Sequence, residues 1–173
     1  EIPFGETRSY ELLAKAIARL TKLIYDSYTG EVCKLTRDRL SNILPAIAEP
    51  ESVDYRCNRL EDFLTLEGAE RRHLTLMLQE AVKTISQEHV LHTVLLNGRL
   101  AHYGWSHRPS ECVALPETQT LLTLPSRALA LYDFYTTGVH RGKRLYAANL
   151  SRIASEAFKS GVTNIYIVCE ARN

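Results

Sequence analysis

The chain has 173 residues, 45% of them hydrophobic, which suits one compact domain with its own core and excludes a chain too polar to fold. Its 21 basic and 20 acidic residues nearly cancel, so no global field holds a nucleic acid or an anionic membrane, and any anion site must be local. No segment approaches the roughly 20 consecutive apolar residues of a membrane span, and the start EIPFGETRSY lacks the basic-then-apolar order of a secretory leader.

Cys33, Cys57, Cys112 and Cys169 stand far apart and match neither zinc-ribbon nor CxxC spacing. They read as free thiols of a cytoplasmic protein, with no metal site. In SYELLAKAIARLTKLIYDSYTG, Leu13, Ile17, Leu20 and Ile24 recur at helical spacing between Ser9 as N-cap and Gly30 as stop. No Lys or Arg cluster flanks that stripe, so it is expected to pack on a core. A shorter helix is expected from Thr36 to about Leu44, ended by Pro45. Residues 1–60 thus read as a helical N-terminal region, within a single domain spanning 1–173.

The stretch EGAERRHLTLMLQEAVKTISQE predicts a second amphipathic helix over 67–88, with Leu74, Met77, Leu78, Ala81, Val82 and Ile85 on its buried side. VLHTVLLNGRLAHYGW follows as two strands split by Asn97-Gly98, the pair suited to a type I′ turn because both central residues take positive φ. SHRPSECVALPE reads as a loop, then TQTLLTL and ALALYDFYT as strands on either side of Pro125-Ser126. Four successive strands suggest an antiparallel meander. Tyr146, Leu150, Ile153, Ala154, Ala157 and Phe158 then mark a helix stopped by Gly161, and NIYIVCEA closes as a strand. A strand, helix and strand in this order form a right-handed crossover, so the last two strands should be parallel.

The histidines give little. His89 and His92 sit at odd spacing on a strand and point to opposite faces, which disfavours a shared metal. His102 and His107 read as surface or half-buried residues, with lining of a substrate mouth the less favoured alternative. Ser106-His107 makes no triad, since sequence neighbours rarely present that geometry. Tyr103 and Trp105 serve either hairpin packing or stacking on an acceptor.

The junction DFYTTGVHRGKRLYAANL is the most informative stretch. GVHRGKR sets three cationic side chains and two glycines between an apolar strand and a helix. A helix N-terminus carries unpaired N–H groups and about half a positive charge. Gly142 permits close backbone approach, and Arg141, Lys143 and Arg144 add charge, which suits a diphosphate better than a carboxylate. A solvated basic turn is the alternative. Neither GxxxxGK[ST] nor GxGxxG occurs.

From this junction onward, LYDFYTTGVHRGKRLYAANLSRIASEAFKSGVTNIYIVCEARN resembles the core of the GCN5-related N-acetyltransferases. That core is a strand, the loop Gln/Arg-x-x-Gly-x-Gly/Ala, a helix, and a strand ending near an Asn. The likeness extends over about 67–173. Val139 stands at the Gln/Arg position, and Arg144 at the usual Gly or Ala, where a long side chain either crowds a pyrophosphate or pairs with it.

The resemblance implies an α+β fold: a mixed, mostly antiparallel sheet flanked by helices, with one parallel pair of strands splayed to admit a thioester. It implies acetyl-coenzyme A as co-substrate, its pyrophosphate held by Arg141, Gly142, Lys143, Arg144 and Leu145. The pantetheine arm would run along the backbone of Phe134, Tyr135 and Thr136, with Asn173 closing the last strand. A primary amine of a small molecule would attack directly, and a backbone N–H freed by a bulge at 134–136 would hold the thioester oxygen. Asp133, Tyr135 and Glu170 flank the expected cleft as candidate proton acceptors. For Asp133, the apolar setting LYDFY suggests a raised pKa, with a carboxylate satisfied by a neighbour as the alternative. The family continues past this strand with another helix and two strands, which this sequence does not supply at that place, and residues 1–60 are available for acceptor recognition or contact with a second copy. A non-catalytic acyl-coenzyme A-binding or regulatory module retaining the fold is the alternative function.

Overall fold

The computed structural model describes residues 30–38, 40, 52–68, 70–85, 88–108, 112–115 and 120–170. The helix expected over 9–30 lies outside them except for Gly30, as does most of the one expected from Thr36. Residues 37, 38 and 40 are helical, and the Leu40 N–H donates to the Thr36 carbonyl at 3.0 Å.

Among the described residues, apart from the helical residues just named, eight strands and two α-helices follow in chain order: β1 (Gly30–Leu35), β2 (Val53–Cys57), α1 (Leu74–Thr84), β3 (His89–Leu96), β4 (Arg99–His107), β5 (Cys112–Leu115), β6 (Thr120–Thr123), β7 (Ala128–Thr136), α2 (Leu145–Lys159) and β8 (Asn164–Glu170). The main sheet has the order β1-β8-β7-β4-β3-β2. Every neighbouring pair is antiparallel except β7 and β8, which run parallel on either side of the α2 crossover as expected. The fold is therefore α+β with a mostly antiparallel sheet.

Asn97 and Gly98 take φ of 53° and 77°, the left-handed pair of a two-residue hairpin turn, and Leu96 pairs with Arg99 across it. Three expectations are corrected. Residues 1–60 are not simply helical, because β1 and β2 come from this region and sit at the two edges of the main sheet. The expected meander is interrupted: β6 leaves the main sheet and, among the described residues, pairs only with β5, which was read as loop, so that β7 pairs directly with β4. The second helix is shorter than 67–88, with a 3-10 turn at Glu70–His73 preceding α1, and Val82 is exposed.

Each face of the sheet has its own core. Leu74, Met77, Leu78, Ala81 and Ile85 pack with Phe63, Leu66, Leu91, Leu100, Tyr103 and Trp105. On the other face Ile153, Ala154, Ala157 and Phe158 of α2 pack with Leu35, Leu129, Leu131 and Ile165. Leu131 belongs to the α2 core and its successor Tyr132 to the α1 core, as strand alternation requires. α2 ends at Gly161, whose φ of 89° lets the Val162 N–H return to the Ala157 carbonyl at 3.0 Å.

Candidate active site

The parallel ladder between β7 and β8 runs from Ala128 opposite Asn164 to Leu131 opposite Ile167 and stops there. Both strands continue. β7 stays paired with β4 as far as Thr136 opposite His102, and β8 stays paired with β1 as far as Glu170 opposite Gly30. Beyond Leu131 and Ile167 the facing edges of the two parallel strands are therefore free of each other, and a wedge opens in the middle of the sheet.

One side of that wedge is bulged. Tyr135 lies opposite Tyr103 and Tyr132 opposite Trp105, so Asp133 and Phe134 together face Gly104. Asp133 adopts a φ of 49°, and such an extra residue falls out of the hydrogen-bond ladder. The bulge is thus centred on Asp133 and Phe134, slightly earlier than the 134–136 of the sequence reading. Gly104 makes it fit, since a Cβ there would sit 2.5 Å from the Phe134 ring. Phe134 meets Tyr146 of α2 edge to face, with ring centres 5.4 Å apart. Asp133 itself is exposed, not set in the apolar surroundings that LYDFY suggested.

The wedge leads to the loop before α2. Thr137 is buried and donates its N–H to the Ala101 carbonyl at 3.0 Å, and the Gly138 N–H donates to the Glu70 carboxylate at 2.8 Å. That hydrogen bond, reinforced by the nearby charge of Arg141 and His140, lowers the Glu70 pKa below the usual carboxylate value. Gly142 and Arg144 take φ of 76° and 59°, and a Cβ added at Gly142 would meet nothing within 4 Å. Arg144 is the N-cap of α2, and neither a side-chain cap nor an acidic residue serves the first turn. Arg141, Lys143 and Arg144 are exposed, and among the described residues no ion pair within 4.0 Å engages Lys143 or Arg144. Uncapped amides, a glycine open to solvent and three cations with no acid in the helix's first turn suit a polyphosphate end.

The structure brings Asp133, Phe134, Tyr135, Thr136, Arg141, Gly142, Lys143, Arg144 and Leu145 onto one continuous path from wedge to helix. Glu170 ends β8, the strand on the far side of the wedge; Asn173 lies outside the described residues. Leu145 is buried against Val94 and Ala101 and can offer only its backbone. Tyr135 packs on Tyr103 with ring centres 5.7 Å apart, and Tyr103 and Trp105 belong to the α1 core, so hairpin packing accounts for both.

His102 and His107 are buried, against the surface reading. His102 bonds the Thr136 hydroxyl at 2.8 Å beneath the loop, and burial lowers its pKa to about 4. His89, His107 and Tyr132 form a group that the sequence reading did not assemble. Tyr132 OH lies 2.7 Å from His89 Nδ1, and the two imidazoles stack with centres 3.8 Å apart. All three belong to the α1 side: His89 lies two residues before Leu91, His107 two after Trp105, and Tyr132 packs in that core.

No protein-family model matches the chain, and no curated protein matches it by sequence. Solved structures match in fold. A tandem GNAT protein from the clavulanic acid biosynthesis pathway superposes with a TM-score of 0.51 at 14% identity, over 86% of this chain and 46% of that one. An aminoglycoside N-acetyltransferase in complex with coenzyme A gives 0.51 at 10% identity, over 69% and 81%. A protein of unknown function from Staphylococcus epidermidis gives 0.52 at 10%, over 89% and 57%. The chain spans less than half the length of the tandem protein. With its parallel pair parting at Leu131 and Ile167 and its helix beginning at the RGK loop, this chain has the fold of the GCN5-related N-acetyltransferases.

Proposed function

We propose that this chain transfers an acetyl group from acetyl-coenzyme A to a primary amine. The observation that carries the reading is the wedge: a parallel pair that separates at Leu131 and Ile167, bulged at Asp133 and Phe134, and continuous with the uncapped start of α2. The residues present fit the coenzyme. Backbone amides from Gly142 to Leu145 and the side chains of Arg141, Lys143 and Arg144 would hold the pyrophosphate. The unladdered edge of Phe134, Tyr135 and Thr136 would pair with the amides of the pantetheine arm.

When bound, the thioester supplies an activated acyl carbon. The bulge would offer a backbone N–H to its carbonyl oxygen, a donor fixed by the β4–β7 pairing and needing no side chain. Asp133, on the bulge, and Glu170, across the wedge at the end of β8, flank the place where an amine must arrive, and Tyr135 lines its α1 side. The strand next to β8 is β1, so the N-terminal region borders that place and takes part in shaping the acceptor pocket.

Calorimetric titration of the chain with acetyl-coenzyme A, with 3′-dephospho-coenzyme A alongside, tests the reading. Micromolar binding abolished by Gly142→Trp is expected, because the open space at Gly142 would be filled. Absence of binding by the unsubstituted chain would overturn it.

A further inference from the structure

We propose that the wedge selects its acyl group by length: the slot between the bulge and the last parallel pair takes acetyl or propionyl and refuses longer chains, with Ile167 the side chain that sets the limit. This rests on the acyl-transfer reading above and names within it the class of thioester, a short-chain one.

Direction comes first. A pantetheine arm that starts at the α2 N-terminus and follows the β7 edge passes Thr136, Tyr135 and Phe134 in that order, so its acyl group points on toward Leu131 and Ile167, where the ladder closes. Room in that direction is short. With the thioester oxygen at the bulge, the carbonyl carbon is level with Asp133, two positions from Leu131, which at about 3.3 Å per strand residue is about 7 Å. An acyl carbon must stop about 3.5–4 Å short of the closed backbone. About 3 Å remains, the reach of two carbon–carbon bonds of about 1.5 Å each. Acetyl uses one of them and propionyl both.

A longer chain would have to turn out of the plane of the sheet. On the α2 face it meets apolar side chains. Ile167 belongs to the last parallel pair, Phe134 is the β7 residue past the bulge that packs on the same core, and Leu150 reaches that core from α2. All three are half-buried, whereas Leu131 and Ile165 behind them are 0% exposed and Ile153 is 3% exposed, so the core has no space to yield. Phe134 cannot retreat, because its ring already lies over Gly104, where even a Cβ would come within 2.5 Å, and meets Tyr146 edge to face. Ile167 stands at the level that a third acyl carbon would reach, which makes it the residue that sets the limit. The α1 face is closed in another way. Burial and then the charge of Asp133 push the Tyr103 pKa up, and Tyr103 belongs to the α1 core, so the Asp133 carboxylate acts on that side. An apolar chain turning there would strip water from an ionised group.

Calorimetric titration with coenzyme A and its acetyl, propionyl, butyryl and octanoyl thioesters reads the slot without any acceptor. The acetyl and propionyl thioesters are expected to bind within about threefold of each other, the butyryl about tenfold more weakly and the octanoyl more weakly still, since one methylene too many in a tight apolar site costs roughly tenfold or more. Ile167→Ala should bring the butyryl thioester to within about threefold of the acetyl one. Leu150→Ala, on the helix and not in the sheet, should move it the same way to a smaller extent, and circular dichroism checks that each variant is folded. A butyryl or octanoyl thioester bound by the unsubstituted chain as tightly as the acetyl one would overturn the limit and leave acyl transfer standing. So would a folded Ile167→Ala that binds acetyl-coenzyme A yet keeps the unsubstituted order of affinities. Failure of the unsubstituted chain to bind coenzyme A or any of its thioesters would overturn both.

Discussion

Arg144 holds a left-handed backbone conformation that a side chain makes costly by about 1–2 kcal/mol. A glycine, which the motif allows at this position, would take that conformation without the cost, whereas an alanine would bear it as Arg144 does. Arg144→Gly is expected to raise stability by about 0.5–1 kcal/mol once glycine's greater freedom in the unfolded chain is subtracted, seen as a higher urea midpoint. Gly104 is the opposite case. Gly104→Ala would drive a methyl into the Phe134 ring and is expected to cost about 1–3 kcal/mol, and to weaken the proposed coenzyme binding as the bulge shifts. His92 and His102 are buried, and burial lowers both to about 4 from an unfolded value of 6.5. The unfolded chain therefore takes up protons first as pH falls. Stability is full above 6.5 and declines toward pH 4, by up to about 1.4 kcal/mol per pH unit for each ring. Thermal melts from pH 7 to 4.5 should show the decline, and His92→Gln should make it shallower.

Between elements, one carboxylate ties the loop before α2 to the 3-10 turn before α1: Glu70 receives the Gly138 N–H across 68 positions of sequence. Glu70→Ala is expected to speed hydrogen exchange at the Gly138 amide by roughly tenfold, with little effect on exchange in α2. The β3–β4 hairpin shows how a local signal can be right and still leave the cross-strand neighbours out of view. Asn97-Gly98 announces the turn, and a regular ladder from Leu96 opposite Arg99 would put His89 opposite Ser106. A register shift at Val94 and Leu95 puts it opposite His107 instead, which creates the stacked pair. The β5–β6 hairpin was misread for a related reason. TQTLLTL has strand composition, but composition does not name a partner, and only packing decided that β6 joins β5 outside the main sheet.

The N-terminal strand is part of the molecule's core. Leu35 is buried with Leu129, Leu131, Ile153 and Ile165, residues from β7, α2 and β8. Leu35→Ala is expected to lower the stability of the whole molecule by about 2–4 kcal/mol, measured by urea denaturation, whereas a strand merely resting on the surface would give under 1 kcal/mol. The sequence by itself determined what short-range physics specifies: the hairpin turn, the start and stop of α2, the parallel crossover, and the cationic loop from Arg141 to Arg144. Each depends on residues a few positions apart. The tertiary structure alone decided the edge positions of β1 and β2, the separation of β7 from β8 beyond Leu131, the bulge at Asp133, and the meeting of His89, His107 and Tyr132. These depend on pairing and register between segments distant in the chain, where a shift of one residue moves every side chain to the other face.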